Sequence, residues 1–223
     1  MTFATVTGMN EKTVEEGPRK PLTPRGERTR GSLVAAARVV FERDGYLDAR
    51  LTDITAEAGC STGTFYTYFT SKEEIFAALM EATKNEMLHP GLDHVEGDDP
   101  AAVIEASNRA YLEAYRRNAK LMRLMEEVAN IDPKFMVLRQ QRARTFVERN
   151  AQSIADLQQR GLADPELDPM MASRALSGMI SRLAFGAFAL GDEKEYSFEE
   201  LLYTLTSIWC NGLRIDHQLS RKD

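Results

Sequence analysis

The sequence predicts an all-α protein, in which a small N-terminal domain of three helices is followed by a larger helical domain. Three observations support this class. Apolar residues recur at the three- and four-residue spacing of amphipathic helices through most of the 223-residue chain. Few segments alternate apolar and polar residues as half-buried strands do. Hydrophobic residues make up 43% of the chain, which is enough to form a substantial core.

The first 24 residues are predicted to form a disordered arm. They contain two glycines and three prolines and have almost no periodic apolar residues. The arm ends in a basic segment, because residues 18–38 contain six cationic side chains and one carboxylate, whereas the whole chain has a net charge of −6. This contrast indicates a polyanionic partner, and a solvating tail is the alternative.

The first helix is predicted over residues 24–44. Leu33, Ala37 and Val40 recur at helical spacing and would form its buried stripe. Gly45 follows as a stop signal.

Two very short helices come next. The segment LTDITAEAG, with Thr52 as its predicted N-cap, ends after two turns at Gly59. The segment TGTFYTYF forms the second short helix. Gly59 is able to adopt the left-handed conformation that a tight turn needs. The pattern is typical of a helix-turn-helix, whose second helix lies in the DNA major groove.

The second short helix has an apolar face and a polar, aromatic face. Ile54, Ala58, Phe65 and Phe69 are predicted to form the core between the three helices. The opposite face consists of Ser61, Thr62, Gly63, Thr64, Tyr66, Thr67 and Tyr68. Hydroxyl groups bind phosphate oxygens and threonine methyl groups contact thymine methyls, so we predict that this face binds and reads a DNA duplex. A solvated aromatic pair is the alternative.

Four further residues are predicted to contact DNA, namely Arg28, Arg30, Thr52 and Lys72. Lys72 begins the next helix, where its charge and the free backbone N–H groups suit a phosphate. An ordinary surface lysine is the alternative there.

Residues 28–80 resemble the DNA-binding domain of the TetR family of bacterial repressors. The resemblance lies in LTDITAEAGCSTGTFYTYFTSKEEIF, which is similar to the family pattern T-x-x-I-A-x-x-A-G-V-S, then G-x-x-Y-x-Y-F and S-K-E-x-L. Thr55, Cys60 and Thr70 stand where Ala, a branched apolar residue and Pro are usual. The resemblance implies a homodimer on a palindromic operator and a C-terminal helical domain that binds a small molecule.

The rest of the chain is also predicted to be helical. Ser71 is expected to cap a helix that ends near residue 89. Further helices are predicted over residues 100–117, 119–130, 132–161, 168–190 and 197–216. We divide the chain into a disordered, basic-ended arm (1–24), a helix-turn-helix DNA-binding domain (25–71), a helical effector-binding and dimerisation domain (72–216) and a tail (217–223).

The middle helices are rich in methionine and aromatic residues, which suit a pocket for a small hydrophobic effector. The predicted ligand-binding residues are Tyr111, Tyr115, Met122, Met125, Phe135, Phe146 and Met179. For each of them, a place in an ordinary helical core is the alternative. Arg109, Arg116 and Arg123 are candidates either for an anionic head group or for the surface.

The last two helices carry apolar stripes with small residues that permit close helix contact. In the family, the corresponding helices of two subunits form a four-helix interface. The interface residues predicted here are Met171, Ala175, Gly178, Arg182, Leu201, Leu205, Ile208 and Trp209. A core within one chain is the alternative.

Several classes of protein are not supported by the sequence. Cys60 and Cys210 are far apart and belong to no CxxC motif, which argues against a zinc ribbon and a disulfide-stapled secreted domain. The absence of a secretion signal and of an apolar run of membrane-spanning length predicts a cytoplasmic protein without membrane contact. No catalytic constellation stands out, so we expect no enzyme activity, cofactor or metal.

The leading hypothesis is therefore a ligand-responsive repressor that a small hydrophobic effector releases from its operator. One alternative is an architectural DNA-binding protein without an effector, which would have a fully packed C-terminal domain. A second alternative is an enzyme that uses the helical pocket.

Overall fold

The computed structural model describes residues 23–88, 99–191 and 196–216. The predicted tail, the predicted end of the fourth helix at residue 89 and nearly all of the predicted arm lie outside these residues. The described residues form helices and no strand, which confirms the all-α prediction. The helices are α1 (Pro24–Asp48), α2 (Leu51–Glu57), α3 (Thr62–Tyr68), α4 (Lys72–Leu88), α5 (Pro100–Arg117), α6 (Ala119–Ala129), α7 (Pro133–Gln159), α8 (Pro169–Ala184) and α9 (Phe198–Leu213). Phe185–Ala189 continues α8 as a π-helical segment.

Short polar side chains begin many of these helices. Thr23, Asp99, Asp132 and Asp168 each accept a hydrogen bond from a backbone N–H group of the first turn, and a proline follows each of them. Ser197 forms a capping box at the start of α9. These boundaries therefore follow from local chemistry.

Two boundaries differ from the sequence-based prediction. Gly45 interrupts α1 with a φ of 79°, but helical structure resumes after it and extends to Asp48. Thr52 does not cap α2, because Arg50 holds the N-cap position and makes no side-chain capping bond. Thr52 lies in the first turn instead, where its carbonyl accepts a hydrogen bond from the Thr55 hydroxyl (3.0 Å).

The first three helices pack around a small apolar core. Phe41, Ile54, Phe65 and Phe69 are fully buried there. Gly59 has a φ of 62°, the left-handed conformation predicted for the turn between α2 and α3. The core and the turn of the predicted helix-turn-helix are thus both present.

An aromatic cluster of Phe41, Tyr46, Phe76 and Phe135 joins this three-helix unit to the rest of the chain. The ring centroid of Phe76 lies 5.2 Å from that of Phe41, 4.9 Å from that of Tyr46 and 5.1 Å from that of Phe135. Phe76 belongs to α4 and Phe135 to α7. The core is therefore continuous across the predicted domain boundary.

The larger helical domain is built from pairs of packed helices. α7 packs along α8, α5 packs along α9, and α6 lies against α1 and α7. The π-helical segment packs against α5 and α6. Such segments are rare and frequently occur at functional sites. Within the described ranges, no helix is both long and apolar enough to span a bilayer.

Candidate nucleic-acid interface and ligand cavity

α3 is held so that one of its faces points away from the core. The hydroxyl oxygen of Ser61 accepts a hydrogen bond from the backbone N–H of Thr64 (3.2 Å), which starts the helix. Phe65 and Phe69 are fully buried and anchor the inner side of the helix. The opposite side is therefore free to meet a partner.

The outward face of α3 contains most of the seven residues that the sequence predicted to read DNA, whereas Tyr68 packs against the main core. Ser61, Thr62, Gly63, Tyr66 and Thr67 are exposed, whereas Thr64 and Tyr68 are half-buried. Tyr66 is the most prominent ring, with 56% of its surface exposed. The face presents hydroxyl groups and a phenol ring on a rigid support, which suits contacts to phosphates and base edges.

The two predicted arginines lie on α1, close to the start of the described chain. Arg28 is exposed, and its Nε donates to the carbonyl of Pro24 (3.3 Å). The guanidinium carbon of Arg30 lies 5.0 Å from the ring centroid of Phe69, which places this cation beside the end of α3. Thr52 is exposed on α2.

Lys72 has a different environment from the predicted one. Its Nζ donates to the backbone carbonyls of Tyr46 (2.8 Å), Leu47 (3.1 Å) and Ala49 (3.1 Å). An ammonium group has three N–H donors, and these three bonds use all of them. Lys72 thus holds the end of α1 and Ala49, which favours the structural role over the predicted phosphate contact.

A cavity of about 1490 Å³ lies among the helices of the C-terminal domain. Four predicted ligand-binding residues line it, namely Tyr111, Tyr115, Met125 and Phe146. The rings of Tyr111 and Phe146 meet edge to face, with centroids 5.7 Å apart. Burial raises the pKa of Tyr111 and of Tyr115, so both phenols stay protonated at neutral pH.

Three other predicted ligand-binding residues serve packing and do not line the cavity. Met122 is 1% exposed and belongs to the main core. Phe135 is part of the aromatic cluster, and Met179 packs between the two core clusters. The core alternative considered from the sequence therefore holds for these three residues.

Five predicted interface residues lie on the surface of the chain. Met171 is 65% exposed and Ile208 is 43% exposed. Ala175, Gly178 and Arg182 are exposed on the same helix as Met171. This surface of α8 and α9 is exposed in a single chain, and Gly178 and Arg182 contribute to the wall of the cavity as well.

The other three predicted interface residues face inward. Leu205 is fully buried, and Leu201 packs half-buried against the main core. Trp209 is 7% exposed and lines the cavity. The prediction is wrong for Leu205 and Trp209, because the apolar stripe of α9 is wide and its periodicity does not tell which half faces the chain's own core.

The arginines considered from the sequence are all engaged at the surface. Arg109 donates to both carboxylate oxygens of Glu199 (2.7 and 2.9 Å). Arg123 pairs with Glu127 (2.9 Å). Arg116 is exposed, and its guanidinium carbon lies 5.0 Å from the ring centroid of a phenylalanine in α9.

Sequence reasoning missed the arginines that line the cavity. Arg139, Arg142 and Arg149 of α7 and Arg182 of α8 all contribute to its wall. Arg142 and Arg149 are seven residues apart in one helix, a spacing that would have placed them on one face. This spacing does not stand out in the sequence, because α7 contains many other charged residues.

Comparison with known proteins agrees with this geometry. Residues 33–79 match the family model described as "Bacterial regulatory proteins, tetR family". The transcriptional regulator UidR of Escherichia coli (strain K12) is 28% identical over 149 residues, which cover 66% of this chain and 76% of UidR. The transcriptional regulator EthR of Mycolicibacterium smegmatis is 23% identical over 198 residues, which cover 87% of this chain and 90% of EthR.

Solved structures show the same fold. GusR of Salmonella enterica superposes with a TM-score of 0.69 at 19% identity, covering 84% of this chain and 96% of GusR. A TetR-family transcriptional regulator of Pectobacterium atrosepticum superposes with a TM-score of 0.63 at 24% identity, covering 87% of this chain and 96% of that protein. The family and the named curated relatives are transcriptional regulators and not enzymes.

Proposed function

We propose that this chain, a DNA-binding transcriptional regulator of the TetR family, is a ligand-responsive repressor that binds a palindromic operator as a cytoplasmic homodimer. The observation that carries this proposal is the combination, in one chain, of the outward face of α3 with a cavity of about 1490 Å³. One helix, α4, connects the DNA-binding unit that contains α3 to the domain that contains the cavity. A small molecule in the cavity would thus be able to change DNA binding.

DNA recognition rests on the outward face of α3. Its N-terminal residues carry hydroxyl groups for phosphates, and the exposed ring of Tyr66 lies one turn further along. Gly63 would allow close approach of the backbone to the duplex, because the face carries no side chain at this position. Arg30 adds a positive charge at the other end of the helix.

α4 is the proposed link between the cavity and α3. Its first residue, Lys72, holds the chain between α1 and α2, and its last two residues contact cavity arginines. Nη1 of Arg149 donates to the carbonyl of Leu88 (2.6 Å), and Nη2 of Arg142 donates to the sulfur of Met87 (2.7 Å). A ligand that moves these arginines would move the end of α4.

A shift of this kind follows two-state thermodynamics. The effector releases DNA only if it binds the DNA-incompetent arrangement of the two subunits more tightly than the competent one. Coupling free energies are typically about 1–3 kcal/mol, which corresponds to a change in DNA affinity of about 5- to 150-fold.

The proposed dimer uses the exposed surface of α8 and α9, with Met171 and Ile208 as its apolar contacts. Gly178 lies between them in sequence and is exposed, so another helix is able to approach closely. A dimer would place two copies of α3 on two operator half-sites.

An architectural DNA-binding protein without an effector is less well supported. That alternative requires a C-terminal domain with a filled core, whereas this domain contains a cavity large enough for a drug-sized molecule.

The test is selection of bound duplexes from a random DNA pool by the purified protein, followed by sequencing. We expect an inverted repeat whose half-sites are about one helical turn or more apart. Enrichment of single, unpaired half-sites would contradict the dimeric reading, and no enrichment would contradict the DNA-binding role of α3.

A matched pair of variants then tests the face itself. Tyr66→Ala should weaken binding to the selected operator by about 1–3 kcal/mol, measured by fluorescence anisotropy. Tyr196→Ala, which changes a tyrosine that is 62% exposed far along the chain, should leave the affinity unchanged. Equal affinities for both variants would remove Tyr66 from the interface.

A further inference from the structure

Three buried N–H groups around the cavity have no acceptor among the described residues. They are the Nε groups of Arg139 and Arg142 and the indole Nε1 of Trp209. All three side chains line the cavity. Buried donors without acceptors are uncommon and lower the stability of the fold. A ligand that supplies acceptors would satisfy these donors only if the side chains shift, because the three nitrogen atoms themselves have almost no accessible surface.

Arg142 also lacks a counter-charge. Its Nη2 donates to the sulfur of Met87 (2.7 Å), which is a weak and uncharged acceptor. The neighbouring carboxylate of Glu126 is occupied, since both of its oxygens accept from Nη1 of Arg139 (3.0 and 2.8 Å). Burial lowers the pKa of Arg142, as expected for a cation that is held away from water without an anion.

The residues that line the cavity around Arg142 also carry a net positive charge. Among the described residues that line the cavity there are seven arginines and three carboxylates, so the local charge favours an anion. Two of the three carboxylates, Glu126 and Glu148, are already paired with Arg139 and Arg144. The apolar part of the wall includes Ile104, Phe146, Ile180, Phe185, Trp209 and Leu213.

We propose that the effector is an amphipathic carboxylate, whose anionic group binds the guanidinium of Arg142 and whose apolar body fills the rest of the cavity. The half-buried guanidinium of Arg142, which pairs with no carboxylate among the described residues, matches a single negative charge. The planar carboxylate fits the fork of a guanidinium in a bidentate manner. The proposal rests on the proposed function, since it names the class of effector for the same cavity. It also names the trigger: a carboxylate that draws Arg142 away from Met87 would loosen the end of α4.

The experiment compares acids with alcohols of the same skeleton. The probes are decanoate with decan-1-ol, and 4-phenylbutanoate with 4-phenylbutan-1-ol, each titrated into the full-length protein. Binding is followed by the fluorescence of Trp209, the single tryptophan, and by the shift in thermal unfolding temperature. The variants are Arg142→Gln, Arg142→Lys as a charge-retaining substitution, and Arg123→Gln as a control that removes a surface cation outside the cavity.

We expect the acids to bind more tightly than the alcohols. Arg142→Gln should weaken acid binding about tenfold or more, because it removes a charge-assisted bond in a buried site. The same variant should leave alcohol binding nearly unchanged, Arg142→Lys should give an intermediate acid affinity, and Arg123→Gln should behave as wild type. If Arg142→Gln does not fold, the intermediate affinity of Arg142→Lys still decides.

Other outcomes separate the two proposals. Alcohols that bind as tightly as the acids, or an acid affinity that is unchanged in Arg142→Gln, would overturn the carboxylate inference and leave the effector cavity standing. If no acid and no alcohol binds at millimolar concentration by either measurement, both the carboxylate inference and the effector role of the cavity are overturned.

Discussion

The ammonium nitrogen of Lys72 lies 2.8 Å from the backbone carbonyl oxygen of Tyr46, and two more carbonyls complete its hydrogen bonds. Lys72 starts α4 and Tyr46 follows the break in α1 at Gly45. One side chain thus joins the first helix of the DNA-binding unit to the helix that leads to the cavity. We therefore expect the lysine to position the interface without contacting DNA.

This relationship predicts the effect of replacing Lys72 with methionine, which keeps the length of the side chain and removes its donors. Lys72→Met should lower the free energy of unfolding by about 1–3 kcal/mol, because three carbonyls, two of them in partly buried bonds, lose their donor. The salt dependence of operator binding should stay the same, since no phosphate contact is lost. Denaturant unfolding measures the free energy of unfolding, and anisotropy titrations over a range of salt concentrations measure the salt dependence of operator binding. A slope of log affinity against log salt that falls by about 0.9, with unchanged stability, would restore the phosphate contact.

Gly63 provides a test of close approach between α3 and DNA. A Cβ at this position would meet no atom closer than the Ser61 hydroxyl oxygen at 3.7 Å, so Gly63→Ala fits the free protein. The substitution should therefore leave the thermal unfolding temperature unchanged or slightly raised and should still weaken operator binding, because the methyl group occupies space at the duplex. Gly31→Ala on α1, where a Cβ meets nothing within 4 Å, is the matched control. Unchanged DNA affinity in Gly63→Ala would show that the duplex does not approach this backbone.

The dimer is tested by placing charge on the exposed surface of α8 and α9. Ile208→Glu and Met171→Glu should yield monomers in multi-angle light scattering, because two carboxylates would meet across the twofold axis in a low-dielectric contact. Val137→Glu on α7 changes an equally apolar side chain that is 50% exposed outside this surface, and it should remain dimeric. Dimers that persist in both α8 and α9 variants would place the interface elsewhere. A charge at the fully buried Leu205 would test folding and not assembly.

The bond from Arg149 to the carbonyl of Leu88 predicts the local stability of the end of α4. Burial lowers the pKa of Arg149, so the bond is made by a cation that is partly removed from water. Arg149→Met should speed hydrogen exchange in the last turn of α4 several-fold, since the final carbonyl loses its donor. Arg144→Met, which breaks a surface pair with Glu148, should leave this turn unchanged in the same mass-spectrometry measurement. Equal protection in both variants would remove Arg149 from the link between cavity and α4.

Residues within a few positions of one another were read correctly where local chemistry decides. The turn at Gly59 and the buried Phe65 and Phe69 follow from backbone strain and from the periodicity over three or four residues. The outward side of α3 follows as well, because Phe65 within the seven-residue helix and Phe69 directly after it are both buried and determine which side remains exposed.

Positions that depend on partners far along the chain were not predictable in this way. Met122 and Phe135 are residue types that suit a pocket but pack in the core, and Trp209 lies at the cavity and not on the proposed dimer surface. Lys72 finds its carbonyls 23 to 26 residues earlier in the chain. Periodicity shows which face of a helix is apolar, but it does not show which neighbouring element covers that face.

The sequence by itself thus determined the helical class, the helix-turn-helix and the side of α3 that faces away from the core, since each of these depends on interactions within one or two turns. The tertiary structure alone decided that Arg142 is enclosed beside Met87 without a counter-charge, and that a cavity remains beside it. The physical reason is that burial and charge compensation are properties of several helices packed together. Which arginines of α7 are shielded from water is decided only when α4, α6 and α8 pack against it.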